Sequence, residues 1–179
     1  MTKKLNAKTI RNLDEEKAKK IGDKLKRKDI YFILEDILDT YNVGGFFRLA
    51  DAVGAKMIYL CGKTDVPPNT KIKKASIGTY KFTPWTYCAQ TKEAVTELRR
   101  VEKLKIMAVE QHKKSVDYRY SGYNLPVAFV FGNENYGLSK KSLKLVDEII
   151  EIPMYGINKS LNVMIAAGIV VYKSLEGEG

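Results

Sequence analysis

Histidine and cysteine are almost missing: one His (His112) and two Cys (Cys61 and Cys88) in 179 residues. Two cysteines cannot build a disulfide framework, and the set is too thin for a zinc site, so no metal is expected. A single histidine leaves little room for a Ser-His or Cys-His catalytic pair. Long apolar runs are also missing. A membrane span needs roughly 18 consecutive apolar residues; the most apolar segment, 161–172, is far shorter and reads as a buried element. The lysine-rich N-terminus has no apolar stretch of the kind a secretory signal carries. The expectation is a protein of a reducing, cytoplasmic compartment with no membrane partner.

What the chain has in excess is positive charge. There are 31 Lys+Arg against 21 Asp+Glu, a net of +10. Residues 1–28 hold eleven of the bases and four of the acids, so this short arm carries +7 of that total. Such an arm is the electrostatic footprint expected for phosphate backbones. It lacks the aromatic or leucine face of a helix that lies on lipid. Residues 1–28 are therefore read as a basic, partly helical arm and 29–179 as one globular domain, with no repeat and no low-complexity linker.

Along the body, apolar runs alternate with amphipathic segments. Strands are expected at 30–34, 56–61, 80–87, 105–109, 127–131 and 148–152. Helices are expected at 14–27, at 44–53 after an Asn42 N-cap, at 91–103, at 140–146 and at 160–175, with 64–79 mostly loop. That alternation argues an α/β fold, a mostly parallel sheet with helices on both faces.

Ligands of open parallel sheets bind beyond the carboxyl ends of the strands. No G-x-G-x-x-G follows a strand there, which disfavours a dinucleotide site. No G-x-S-x-G is present, so a hydrolase nucleophile elbow is absent. The run from Gly156 through Lys159 to Ser160 lacks the glycine that precedes the lysine of a phosphate-binding loop. Three other segments each follow an apolar strand and combine a sharp glycine turn with polar residues. The first carries Asn42, Gly44 and Arg48. The second carries Phe131, Gly132, Glu134, Gly137, Leu138 and Ser139. The third carries Ile152, Pro153, Met154, Gly156, Ser160, Leu161, Asn162 and Val163.

In this order and spacing the three segments resemble the motifs of the SpoU/TrmH branch of the SPOUT RNA methyltransferases. The likeness covers roughly residues 30–172. It implies a C-terminal deep trefoil knot, bound S-adenosyl-L-methionine (AdoMet), a homodimer, and methylation of a ribose 2′-hydroxyl in tRNA or rRNA. It implies Arg48, Asn42, Glu134, Ser160 and Asn162 as the catalytic and RNA-facing set. It implies Val109, Gly132, Ile152 and Leu161 as cofactor-holding positions, largely through backbone groups. Met164 departs from the small polar residue that members often carry after the third motif. No separate RNA-binding domain is visible, and the basic arm is the substitute.

Methyl transfer from a sulfonium is a direct displacement that needs alignment and help with one proton, but no metal and no enzyme nucleophile. The residue set suits that demand. Plainer readings stand beside it. Arg48 pairs with Asp51 on a helix surface. Asn42 and Ser160 only cap helices. Tyr80, Trp85 and Tyr87 pack rather than stack RNA bases, and the two cysteines are buried and inert. Two other functions share the fold: an RNA-binding or assembly factor without turnover, and a base methyltransferase.

Overall fold

The computed structural model describes residues 4–176; the first three residues of the arm and the last three of the body lie outside the described residues. Seven strands form one sheet: β1 (Lys28–Glu35), β2 (Ala55–Cys61), β3 (Trp85–Cys88), β4 (Lys105–Val109), β5 (Val116–Asp117), β6 (Val127–Phe131) and β7 (Glu148–Glu151). Their order is β3-β2-β1-β6-β4-β7-β5, and every neighbouring pair is parallel.

The central strands read as unbroken apolar runs because both faces are covered. On one face Ile30, Phe32 and Leu34 of β1 join Phe129 and Phe131 of β6. They pack against α3 (Thr40–Val53) through Phe46 and Phe47, and against α6 (Val163–Lys173) through Ala167 and Val170. On the other face Tyr31 and Ile33 meet Ala94, Val95 and Leu98 of α5 (Thr91–Leu98). Phe32 and Phe131 meet edge-on at 6.0 Å, and each is fully buried. A buried phenylalanine stabilises by about 1.5–3 kcal/mol, so this aromatic layer is a main anchor of the sheet.

Close backbone crossings set the helix positions. A Cβ on Gly44 would lie 2.5 Å from the Ala75 Cβ, so α3 presses directly on α4 (Thr70–Ala75). A Cβ on Gly45 would lie 3.1 Å from the Met164 side chain. Met164 thus fills the α3–α6 contact.

The arm is laid against the body. It contains α1 (Ala7–Asn12), which the sequence pattern did not suggest, and α2 (Glu15–Gly22). Tyr80 Oη donates to Glu15 Oε1 at 3.1 Å, and Lys81 Nζ donates to the carbonyls of Arg11 and Leu13. Arg27 donates to the Phe82 and Ala55 carbonyls.

Several element boundaries differ from expectation. The arm helix stops at Gly22 rather than residue 27, because Gly22 abuts the Phe82 carbonyl so closely that a Cβ would lie 2.5 Å from it. Residues 80–87 are not one strand: a 3₁₀ turn at Thr79–Lys81 precedes a shorter β3. Helix α5 ends at Leu98, and Lys103 then takes φ 59 where the chain reverses into β4. The segment 140–146 holds only a 3₁₀ turn, Ser142–Lys144. Helix α3 starts at Thr40 with Asp39 as its N-cap, so Asn42 is not the cap; Gly54 closes it in the left-handed conformation as expected. Helix α6 starts at Val163 with Asn162 as its N-cap, leaving Ser160 outside the helix.

Candidate active site

The carboxyl ends of β4, β6 and β7 open onto a cavity of about 320 Å³. Parallel strands all end here, so the segments that follow them converge on one edge of the sheet. The four expected cofactor positions, Val109, Gly132, Ile152 and Leu161, all line it, as do Glu134, Ser160 and Asn162.

The second motif supplies the floor through a braced turn. Asn133, which is buried, receives the amides of Asn135 and Tyr136 on its side-chain oxygen, at 2.9 and 3.0 Å. Its side-chain nitrogen donates to the Asp36 carbonyl at 2.7 Å. Gly137 then turns at φ 66, where a Cβ would lie only 2.3 Å from Glu110 Oε2. The positive φ is what calls for glycine there, since the Glu110 side chain could move aside. Glu110 in turn accepts the Leu138 amide at 2.8 Å. Beneath the turn, buried Glu35 at the end of β1 accepts the Ser139 amide and the hydroxyls of Thr91 and Ser142. These three donors stand in for the cation that a buried carboxylate otherwise needs. Glu35, Glu110 and Asn133 were not singled out in the sequence. The signal for Glu35 and Glu110 was an acid at or just past the end of an apolar strand.

Glu134 joins the motifs. Its carboxylate accepts from the amides of Leu38 (3.2 Å) and Asp39 (3.1 Å) and from the Asn42 side-chain amide (3.0 Å). Asn42 Oδ1 receives Asn162 Nδ2 at 3.3 Å, and Asn162 Oδ1 receives the Met164 amide at 2.8 Å as the cap of α6. Burial pushes the Glu134 carboxyl up, but the donated hydrogen bonds, Asn42 first among them, outweigh it and hold the group below its ordinary value. Its contribution to stability is therefore full above the unfolded-state value and is lost only as pH falls through the lower folded-state one.

Arg48 stands apart. It lies six residues beyond Asn42 on α3, about two-thirds of a turn past a full one, so it shares no face with that buried residue. Arg48 is exposed, does not line the cavity, and makes no hydrogen bond or ion pair among the described residues. Asp51, the surface partner considered for it, interacts instead with Arg27. Ser160 lines the cavity and makes no hydrogen bond within the described chain. Trp85 is half-buried and Tyr80 buried, both packed on the core, whereas Tyr87 is exposed. Cys61 and Cys88 are buried, and burial pushes both thiols up, as inert cysteines require.

Residues 29–172 match the SpoU rRNA Methylase family, and the chain belongs to it. Among its relatives is the tRNA (guanosine(18)-2′-O)-methyltransferase of Aquifex aeolicus, 29% identical over 170 residues, covering 89% of this chain and 76% of the relative. Among solved structures, the AdoMet-bound rRNA methyltransferase of Sinorhizobium meliloti superposes with a TM-score of 0.76 at 29% identity, over 93% of this chain and 59% of that one. The SpoU methyltransferase AviRb of Streptomyces viridochromogenes, solved with AdoMet, gives 0.76 at 25% identity, over 86% and 60%. The chain thus spans about three-fifths of the length of those two structures.

Proposed function

We propose that this chain is an AdoMet-dependent RNA ribose 2′-O-methyltransferase acting on tRNA or rRNA. The observation that carries the reading is the Glu134–Asn42–Asn162 chain of hydrogen bonds, which draws three separate motifs to the rim of one strand-end cavity. AdoMet suits that cavity. Its lining includes the carboxylates of Glu110, Glu134 and Glu151 and no lysine or arginine. Such walls favour a sulfonium with an ammonium group and oppose a polyphosphate nucleotide. Bound there, AdoMet supplies an electrophilic methyl group. Backbone groups of Val109, Gly132, Ile152 and Leu161 are the ones we assign to hold it. We take the C-terminal segment to form the family's trefoil knot.

The remaining chemistry belongs to side chains. Glu134, through Asn42, fixes the Asn162 amide and the start of α6. Ser160, with no hydrogen-bond partner among the described residues, is assigned to meet the nucleotide. Arg48, whose guanidinium ordinarily stays protonated, is assigned to clamp an adjacent phosphate and stabilise the developing alkoxide. Among the described residues no cluster of three or more metal-ligating side chains occurs, and the proposed reaction calls for none.

The test is methyl transfer from labelled AdoMet to total tRNA and, separately, to rRNA, followed by nucleoside digestion and mass spectrometry. A 2′-O-methylnucleoside in one pool is expected. AdoMet binding without label in either pool would instead indicate a binding or assembly factor, and a methylated base would indicate a base methyltransferase. The same assay at rising salt reads the basic arm, residues 1–28. With the arm on the phosphate backbone, replacing Lys8, Lys19 and Lys24 by glutamine makes the salt dependence shallower, by about 0.7–0.9 in slope for each phosphate no longer neutralised.

We further propose a homodimer in the cytoplasm. Among the described residues no helix is long and apolar enough to cross a membrane. Helix α6 nevertheless leaves Ile165 and Tyr172 each 54% exposed, and Leu161 lies exposed just before it. Such side chains on an almost wholly apolar helix call for a cover. Sedimentation equilibrium is expected to give twice 20.3 kDa; a stable monomer would count against the dimer.

A further inference from the structure

Tyr136 is 88% exposed at the mouth of the cavity, two residues beyond Glu134. Exposed aromatic rings are common on mobile loops, where they signify little. This one is carried on a rigid support. Its amide is tied to Asn133 Oδ1, Asn133 and Gly137 form a bridge across the turn, and Glu110 anchors the next residue but one. Its hydroxyl has no partner among the described residues. The ring is therefore held out to solvent by its backbone, and no side-chain contact of its own keeps it there.

Its surroundings repeat the pattern. Leu38 and Tyr41 are 51% and 50% exposed, and they belong to the segment whose Leu38 and Asp39 amides grip the Glu134 carboxylate. Three large, exposed, partly apolar side chains are thus carried by the two segments that the Glu134 carboxylate ties together. Lys140 and Lys141, four and five residues beyond Tyr136, are exposed. An exposed ring held at the mouth of a strand-end cavity suits a single-stranded nucleotide, whose base stacks on the ring face.

We propose that Tyr136 is a substrate-positioning residue that stacks on the base of the target nucleotide, or of its immediate neighbour, and so orients the ribose toward the cavity. This rests on the RNA methyltransferase reading above. Stacking acts through the ring face, so the hydroxyl is dispensable and the ring is not.

The experiment compares Tyr136→Ala, Tyr136→Phe and Tyr136→Trp with the wild type. It measures AdoMet affinity by calorimetry, Tm, the sedimentation profile, and kcat/KM for whichever RNA pool the wild type labels. Removing one base-stacking ring weakens binding by about 5- to 150-fold. Tyr136→Ala is expected to lose about 10-fold or more in kcat/KM for RNA, while Phe and Trp stay within about 3-fold of wild type. Tm and sedimentation should be unchanged in all three, and any change in AdoMet affinity should be smaller than the loss in kcat/KM for RNA. Wild-type kcat/KM in Tyr136→Ala overturns the assignment and leaves the methyltransferase reading intact. So does a loss accompanied by dissociation of the protein, which would make Tyr136 part of an interface between copies. No methyl transfer by the wild type itself overturns both.

Discussion

Arg48→Ala is expected to lower methyl transfer by about 10²–10³-fold while AdoMet affinity and Tm stay at wild-type values. The expectation follows from how Arg48 is placed. Its guanidinium is exposed and engages no group of the described chain, so truncation removes no internal contact. It is also outside the cavity lining, so the cofactor pocket is untouched. On the proposed function, a residue that supports neither fold nor cofactor, yet sits in the first motif, is assigned to the complex with RNA. Two roles are chemically distinct. As a general base, Arg48 must lose a proton from a group whose pKa ordinarily exceeds about 12. As a charged clamp it keeps the proton and offers two parallel hydrogen bonds to phosphate or alkoxide. Arg48→Lys separates them: a clamp retains charge and part of the rate. A base role predicts that the lysine variant, which gives up a proton more readily, gains rate steeply as pH rises. Activity of Arg48→Ala within about 10-fold of wild type would remove Arg48 from the chemistry altogether.

The parallel sheet was legible because its strands are apolar on both faces, and 105–109 and 127–131 were read to the residue. Elsewhere tertiary contact overrides local pattern. Residues 23–27 look helical alone, but Arg27 is drawn to the Phe82 and Ala55 carbonyls. Residues 160–162 look like a helix start, yet Asn162 caps at Val163 and frees Ser160 toward the cavity. The cavity-lining positions were legible through motif likeness alone; hydropathy marks Val109, Ile152 and Leu161 only as apolar. Glu35 and Glu110 escaped notice because their partners are backbone amides and hydroxyls distant in sequence, such as Ser139 and Leu138. Asn42 suits a cap as well as the first motif, but Asp39 caps α3 and leaves Asn42 to bridge motifs.

That bridge leads to the second large expected effect. Glu134→Ala should lower methyl transfer by about 10²-fold and destabilise the fold by about 1–3 kcal/mol, whereas Glu134→Gln should be milder in both. An ionised carboxylate can only accept, so Asn42 must present Nδ2 to Glu134 and Oδ1 to Asn162. Asn162 must then present Nδ2 to Asn42, which leaves its Oδ1 for the Met164 amide. One acid thus sets the orientation of two amides and the capping of α6, across 92 and 120 residues of chain. Alanine removes the acceptor and leaves the buried Asn42 amide without a fixed partner. The Leu38 and Asp39 amides are exposed enough for water to replace the carboxylate, which keeps the stability cost modest. Catalysis has no such substitute, because water cannot impose the direction of both amides. Glutamine keeps one acceptor oxygen and so preserves that direction at the loss of one backbone bond. The measurement is a denaturation curve paired with single-turnover methyl transfer. A Glu134→Ala protein that loses stability but keeps its rate would show that the acid serves the fold alone. In the wild type the donated hydrogen bonds hold the Glu134 carboxyl below its ordinary value, so its stabilising share is full well above the unfolded-state value and declines as pH falls toward and through the folded-state one.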